Sequence, residues 1–373
     1  MPSASRGRGL RRAVGALLLA ALVPAVPAAA AGDDKPVVVR CAGRAVPGVP
    51  LAAGPTLRGA ASARLEIGTA VNADVLASER RYRDTLAQQF SSLTPENEMK
   101  WAYAHPRPGH YTICAVDRLV QFAQIHRMSV RGGPLVWHEQ LPTWLTSRRW
   151  TRSQLREVLR EHITTLVRTY RGLVTEWDVI SEVFAGDGTL RKTLWLKVLG
   201  PEYIELAFRY AREADPTARL LINEHTAQTS GPKANAVRSL VTSLRRRGVQ
   251  VDGVSLQLHL FLGDHPTGSA VQANLARYAA MNLDVVIAAM DVSIATQGAI
   301  DEGDRPGGLL DRQADVYRSM LDACLRTPRC RSFSTWGFTD AHSWRARSSP
   351  LIYDADYQPK LAYHALLGRL RAG

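Results

Sequence analysis

The run Trp177-Asp178-Val179-Ile180-Ser181-Glu182-Val183-Phe184 places one carboxylate, that of Glu182, within an apolar stretch. The β-branched and aromatic residues of the run favour a pleated, half-buried strand. An acid in such surroundings is partly desolvated, which raises its pKa and suits it to act as a general acid. The alternative is a glutamate at a strand end that is paired with an arginine. The rest of the sequence decides between these interpretations.

Short apolar runs of strand length alternate with longer amphipathic segments along most of the chain. In residues 151–170, for example, apolar residues recur every three or four positions, which predicts a helix. The strand-like runs are residues 65–71, 91–94, 129–137, 174–182, 220–223, 253–260, 285–294 and 332–339. Eight such alternations predict an α/β protein, a single catalytic-type (β/α)8 TIM barrel over residues 63–373. An open doubly wound sheet is the alternative, but no glycine-rich phosphate loop opens the first helix.

Residues 1–31 predict a secretory signal peptide. Four arginines precede the apolar run 13–23, and small residues follow it as far as Ala31, near which we expect cleavage. The run is short for a membrane span, so a retained anchor is the less favoured alternative. We therefore expect a secreted, extracellular protein that has no membrane association after cleavage. Residues 32–62 are rich in Ala, Gly, Pro and Val and are expected to form an N-terminal arm or linker.

The charge of the chain is basic. Cleavage after the four N-terminal arginines lowers the formal charge from +13 by four, to +9. The remaining arginines are spread along helix-like segments, which favours a solvated basic surface without a specific partner. The alternative is that this surface binds acidic polysaccharide or the cell wall weakly. An exported chain without a nucleic-acid-binding motif is not expected to bind nucleic acid.

The four cysteines, Cys41, Cys114, Cys324 and Cys330, predict disulfides because the chain is expected to be exported. Four cysteines allow three pairings. Cys324 and Cys330 enclose only five residues with a proline among them, so we favour that pair and leave Cys41 with Cys114 as the less certain one. No histidine stands at ligand spacing from either pair, so we expect no metal site and no cofactor.

Polar residues follow the apolar strand runs, where a barrel of this kind carries its active site. They are Glu96, Asn97, Glu98, Trp137, His138, Glu182, Asn223, Glu224, Gln257, His259, Asp291, Trp336 and Asp340. Carboxylates and amides mixed with tryptophans suit a ligand that has many hydroxyls and flat apolar faces. These properties are those of a carbohydrate.

Several motifs then add a resemblance. The run Leu93-Thr94-Pro95-Glu96-Asn97-Glu98-Met99-Lys100-Trp101 resembles the signature of glycoside hydrolase family 10, whose best-known members are endo-1,4-β-xylanases. Further matching segments are residues 135–144, 177–184, 252–259, 336–344 and 357–360. The spacing of Cys324 and Cys330 is also similar to that of a short disulfide loop in that family. The resemblance covers residues 63 to 370.

The resemblance implies roles for individual residues of this chain. Glu182 would be the general acid/base of a xylan-degrading barrel. The sugar subsites would be lined by Glu96, Asn97, Lys100, Trp137, His138, Gln140, Asn223, Gln257, His259, Trp336 and Trp344. The implied partner is β-1,4-xylan or a related oligosaccharide, bound by a chain that we expect to be a monomer.

The pattern breaks at the residue implied to be the nucleophile. A retaining glycosidase needs two carboxylates about 5 to 5.5 Å apart, and family members carry the attacking Glu on the seventh strand. Here the corresponding position is Ala289. Three further departures fall near the same sugar: Ser181 replaces an Asn that holds the sugar 2-hydroxyl, Gly133 a His, and His225 a Tyr.

Three functional hypotheses follow from these residues. The first is a secreted xylan- or oligosaccharide-binding barrel with impaired or absent retaining hydrolysis. The second is an active endo-1,4-β-xylanase in which Asp291 or Glu224 serves as a displaced base, since inverting geometry allows carboxylates about 6.5 to 9.5 Å apart. The third and most distant is a cell-wall adhesin-like scaffold that works through its basic surface.

Overall fold

The computed structural model describes residues 36–40, 49, 54–61, 63–294 and 306–373. The predicted signal peptide, its cleavage site and Cys41 lie outside these residues, as does most of the predicted arm. The signal peptide and the pairing of Cys41 with Cys114 therefore stay predictions.

The described chain is built around a closed, parallel, eight-stranded barrel. In chain order the strands are β1 (Val37–Val39), β2 (Glu66–Val71), β3 (Ser92–Pro95), β4 (His110–Thr112), β5 (Ser129–Gly132), β6 (Glu176–Ser181), β7 (Arg219–His225), β8 (Gly253–Phe261), β9 (Asp284–Ser293) and β10 (Cys330–Thr335). The barrel order is β10-β2-β3-β5-β6-β7-β8-β9, and every neighbouring pair is parallel. The predicted (β/α)8 barrel is confirmed.

Helices connect the barrel strands and cover their outer faces. They are α1 (Leu57–Ala60), α2 (Ala73–Ser78), α3 (Arg80–Gln89), α4 (Trp101–Ala104), α5 (Cys114–Ile125), α6 (Thr143–Thr146), α7 (Arg152–Thr169), α8 (Leu194–Leu199), α9 (Glu202–Ala214), α10 (Pro232–Arg246), α11 (Gly268–Ala279), α12 (Pro306–Leu325) and α13 (Leu361–Arg371). Among the described residues, no helix is both long and apolar enough to cross a membrane.

The helix α7 shows how the sequence specifies one of these connections. Thr151 and Gln154 form a reciprocal capping box at its start, which satisfies two backbone donors that have no partner within the helix. Leu155, Leu159 and Ile163 then recur at four-residue steps and are fully buried. Each such side chain contributes roughly 1.5 to 3 kcal/mol relative to an exposed one, so the buried face holds α7 against the barrel.

Two features of the fold differ from the sequence-based expectation. The predicted strand 129–137 ends at Gly132, because Gly133 takes φ +108° and Pro134 has no N–H to donate. The segment nevertheless continues beside β6, where the Leu135 N–H donates to Asp178 O at 2.9 Å. Within the predicted arm, the short strand β1 pairs in parallel with β4, a pairing that its weak periodicity did not indicate.

The disulfide between Cys324 and Cys330 is present, which confirms that pairing. It joins the end of α12 to the start of β10, with the two Cα atoms 5.3 Å apart. Both cysteines are buried. The bond therefore fixes the turn between α12 and the last barrel strand, β10.

We expect the double substitution C324S/C330S to lower the free energy of unfolding by about 2 kcal/mol, because a short closed loop is released in the unfolded state. Urea denaturation of the variant and of the parent chain measures the difference. Dithiothreitol should destabilise the parent by about 2 kcal/mol more than it destabilises the variant, which keeps only the predicted Cys41–Cys114 bond. A loss below about 0.5 kcal/mol would show that the bond does not constrain the unfolded chain.

Candidate functional site

An open cleft with a volume of about 510 Å³ lies at the carboxyl ends of the barrel strands. Most of the residues predicted for the site line it: Glu96, Asn97, Lys100, Trp137, Gln140, Ser181, Glu182, Asn223, Gln257, His259, Ala289, Trp336 and Trp344. The cleft therefore gathers side chains that the sequence spreads over some 250 positions. His138 and Asp291 are not among the lining residues.

Asn223, on β7, is the centre of a buried hydrogen-bond network. Its Oδ1 accepts from Ser181 Oγ at 2.8 Å and from Gln257 Nε2 at 2.6 Å. Its Nδ2 donates to Ser255 Oγ at 2.9 Å and to Asp178 Oδ2 at 3.2 Å. An amide has two donors and two acceptor sites, so Asn223 is fully used inside the protein. These bonds position the residues around Asn223, and its predicted contact with substrate stays a prediction.

Glu182 stands at the edge of this network in a strained backbone conformation. Gln257 Nε2 donates to Glu182 Oε1 at 3.1 Å, which fixes the orientation of the carboxyl group. Its φ angle is +54°, in the left-handed region that is costly for a residue with a side chain. The Glu182 N–H donates to Asn223 O at 3.0 Å, and Arg191 Nε donates to Glu182 O at 3.0 Å. These two bonds hold the peptide groups on both sides of Glu182, and its carboxyl group therefore stays at the cleft.

Lys100 lies between two tryptophans on one side of the cleft. Its Nζ is 5.2 Å from the centre of the Trp137 ring and 5.5 Å from that of Trp336, and it donates to Asn97 Oδ1 at 2.9 Å. Burial lowers the pKa of Lys100, and Glu96 partly offsets this. Burial raises the pKa of Glu96 itself. Aromatic faces with fixed polar groups between them are the surfaces that sugar rings and hydroxyls fit.

Ala289 lies on β9 opposite Gln257, the residue that binds Glu182. The register between β8 and β9 shifts just before this pair, so that Ala288 is an extra residue in β9. Both alanines line the cleft, and each contributes only a methyl group. Arg131 Nη2 donates to Ala288 O at 2.6 Å, which places a guanidinium beside this part of β9.

Two acids near the cleft have their oxygens engaged elsewhere. Asp291 is fully buried; its Oδ2 accepts from His259 Nδ1 at 2.7 Å and Trp344 Nε1 at 2.9 Å, and its Oδ1 from Arg345 Nη1 at 3.2 Å.

Glu224 is also fully buried and does not line the cleft. It accepts from the Phe184 N–H at 3.0 Å and pairs with Lys233 Nζ at 3.0 Å. Burial raises the pKa of Glu224 to about 7, against the opposing effect of Lys233.

The remaining predicted site residue, His138, packs edge-on against the Trp137 ring, with 5.9 Å between ring centres, and its Nε2 is 3.6 Å from Glu139. It lies behind the cleft wall and does not line it. Burial lowers the pKa of His138.

Sequence reasoning missed four charged residues that line the cleft, namely Arg131, Glu139, Asp178 and Arg345. Asp178 and Ser181 both bind Asn223 although they are three positions apart, which a regular strand with a period of two does not allow. A register shift between Asp178 and Ile180 accounts for this, and nothing in the sequence marks it. Arg131 lies within an apolar strand run, and the presence of a charge in such a run was the signal that could have identified it.

Comparison with known proteins gives the family. Residues 56–369 match the profile of glycosyl hydrolase family 10. The chain belongs to this family. It is 36% identical over 297 residues to endo-1,4-beta-xylanase B of Thermotoga neapolitana, a match that covers 78% of this chain and 84% of that one.

Solved xylanase structures superpose closely on this chain. Xylanase 10B from Thermotoga petrophila RKU-1 in complex with xylobiose has a TM-score of 0.81 and 34% identity, over 87% of this chain and 99% of that one. The intracellular xylanase TsXylA from Thermoanaerobacterium saccharolyticum, as a glutamate-to-alanine mutant in complex with xylotetraose, has a TM-score of 0.78 and 30% identity, over 84% and 98% of the two chains.

The strained backbone at Glu182 gives a stability prediction. Glu182→Gly and Glu182→Ala remove the same side-chain bond, but only glycine adopts φ +54° without strain. We expect the glycine variant to be the more stable of the two by about 1 kcal/mol, measured by urea denaturation.

The exposed Glu157 within α7 is the matched control. There alanine should be more stable than glycine by about 0.5 to 1 kcal/mol, the opposite order. If alanine were the more stable residue at both positions, the backbone at Glu182 would carry no strain.

Proposed function

We propose that this family 10 protein binds β-1,4-xylan or a related oligosaccharide in the cleft and that its retaining hydrolysis is impaired or absent. The observation that carries the proposal is the methyl group of Ala289, which faces the cleft where the family resemblance puts the nucleophile. A methyl group cannot attack an anomeric carbon, so no glycosyl-enzyme intermediate forms on it. Glu182 is then a general acid without the second carboxylate that retention needs.

The acids near Ala289 do not favour a displaced catalytic base. Asp291 accepts three hydrogen bonds and Glu224 is paired with Lys233, and both are fully buried outside the cleft lining. Asp178 does line the cleft, but Ser255 and Asn223 donate to its two oxygens. A general base needs an oxygen within reach of the attacking water. Asp291 and Glu224 do not line the cleft, and both oxygens of Asp178 already accept hydrogen bonds.

Binding is supported by residues of the cleft other than Ala289. Glu96, Asn97, Lys100, Trp137 and Trp336 match the family motifs and lie together in the cleft. Remote subsites contribute to affinity separately from the reacting centre. The glutamate-to-alanine mutant of the Thermoanaerobacterium relative in complex with xylotetraose is consistent with ligand binding by such a barrel.

The proposal extends to where the protein works. Polymeric xylan is an external substrate, and the arginines and apolar run of residues 1–31 have the pattern of an export signal. We propose a secreted protein that acts as a monomer.

Isothermal titration with xylotetraose tests binding. We expect a measurable dissociation constant for the parent chain, and Trp336→Ala should raise it about tenfold, or 1.4 kcal/mol, because an indole platform is lost. Ile125→Ala is the control, since this exposed side chain ends α5 at the opposite face of the barrel and should leave the dissociation constant unchanged. Absence of heat with xylotetraose and with longer xylo-oligosaccharides would remove the proposal.

A reducing-sugar assay on xylan tests hydrolysis. We expect little or no turnover by the parent and a gain of at least about a hundredfold in Ala289→Glu, because deletion of a nucleophile costs on the order of 10⁴ to 10⁶ in rate. The other departures around the reacting sugar, such as Ser181, limit the gain.

The Glu182→Gln variant separates the two candidate functions. In the Ala289→Glu background it should abolish the acquired turnover, since the general acid is then missing. Parent turnover that is comparable to that of Ala289→Glu and is lost in Glu182→Gln would instead establish an enzyme with a displaced base.

A further inference from the structure

Arg131 is a buried cation whose hydrogen bonds are incomplete. The side chain lines the cleft and the residue is only 3% exposed. One nitrogen, Nη2, donates to Ala288 O at 2.6 Å. Within the described residues, Nε and Nη1 have no hydrogen-bond partner. A buried guanidinium with donors left over is costly, so a partner for it is expected.

The nearest acid does not supply that partner. Asp178 Oδ2 lies 3.9 Å from Arg131 Nε, beyond hydrogen-bond distance. The oxygens of Asp178 accept instead from Ser255 Oγ and Asn223 Nδ2. Asp178 therefore offsets part of the charge of Arg131 and leaves the donor at Nη1 unused.

The guanidinium donates to the carbonyl of Ala288, and Ala288 and its neighbour Ala289, two of the smallest side chains, line the same cleft as Arg131. A glutamate is larger than an alanine by one methylene and one carboxylate group, which together have the four heavy atoms of acetate. Relative to a family member with glutamate at position 289, the cleft gains this volume and loses this negative charge. Guanidinium donors prefer planar carboxylates, which accept charge-assisted hydrogen bonds.

We propose that the cleft at Ala289 and Arg131 is a binding site for a carboxylate group brought by a ligand. The carboxylate belongs either to a free short-chain acid such as acetate or to a glycuronic acid in which the sugar ring carries it. The inference rests on the proposed function to the extent that Ala289 stands at the nucleophile position. The inference adds that the carboxylate of a ligand takes the place of the negative charge that Ala289 lacks. The site would therefore select acidic ligands.

Thermal unfolding of the full chain in sodium acetate, compared with sodium chloride at equal ionic strength, tests the site. Ligand that binds only the folded state raises Tm in proportion to RT ln(1 + [L]/Kd). We expect the rise of Tm with acetate concentration to follow this logarithm with a single Kd, and chloride to give no such rise. Sodium D-glucuronate and D-xylose form the second arm: a Kd for glucuronate at least tenfold below that for acetate, with no comparable gain for xylose, identifies the sugar acid as the source.

Substitutions locate the ligand. Ala289→Glu and its neutral isostere Ala289→Gln both fill the space and should each raise the Kd for acetate at least tenfold, and Arg131→Gln should do the same by removing the charge. Arg246→Gln, at an exposed position on α10, is the matched control and should leave the Kd unchanged. If Arg131→Gln does not fold, the two substitutions at Ala289 still decide the position.

The outcomes separate this inference from the proposed function. Equal Tm shifts for acetate and chloride, or an acetate Kd that does not respond to substitution at Ala289, would overturn the carboxylate site. Turnover acquired by Ala289→Glu on xylan would still support the proposed function in that case. Carboxylate binding without turnover in Ala289→Glu would support the site alone.

Discussion

The structure of the cleft depends on the closed hydrogen-bond shell of Asn223. Its four hydrogen bonds reach Asp178 and Ser181 on β6 and Ser255 and Gln257 on β8, the two strands beside β7. Ser181 directly precedes the candidate acid, Glu182. A buried amide that lost one of these partners would carry a desolvation cost of roughly 1 to 3 kcal/mol. Because no bond can be given up cheaply, the strands β6, β7 and β8 are locked in one register at the point where Glu182 emerges.

The strain at Glu182 is acceptable because of this shell. A left-handed φ costs of order 1 to 3 kcal/mol and persists only when the surroundings over-determine it. Asn223 supplies a backbone acceptor, Arg191 a donor, and Gln257 a side-chain donor to the same residue. Glu182 is therefore oriented before any ligand arrives, as a group that transfers a proton in a transition state has to be.

Much of this arrangement was predictable from sequence, and the exceptions have physical causes. Strand and helix alternation depends on local periodicity, so the barrel and the strand-end residues followed from it. The bulges did not: an extra residue at Ala288 and the shift after Asp178 change which side chains share a face, and only the pairing with neighbouring strands reveals them. The engagement of Asp291 by His259, Trp344 and Arg345 is likewise a long-range property. Its position in the sequence gave no sign that its oxygens are used.

The same long-range packing explains how a barrel of this family tolerates alanine at position 289. None of the bonds of Asn223, Glu182 or Asp291 runs through that side chain, so the positioning shell is complete without it. The proposed sugar platform of Lys100 and its two tryptophans is held by Asn97 and by its own backbone contacts. Chemistry and recognition are thus carried by separable sets of contacts. On the proposed function, the lack of a carboxylate at position 289 removes transition-state stabilisation, while ground-state binding by the other groups of the cleft persists. The proposed carboxylate site at Arg131 then favours ligands that bring an acid of their own.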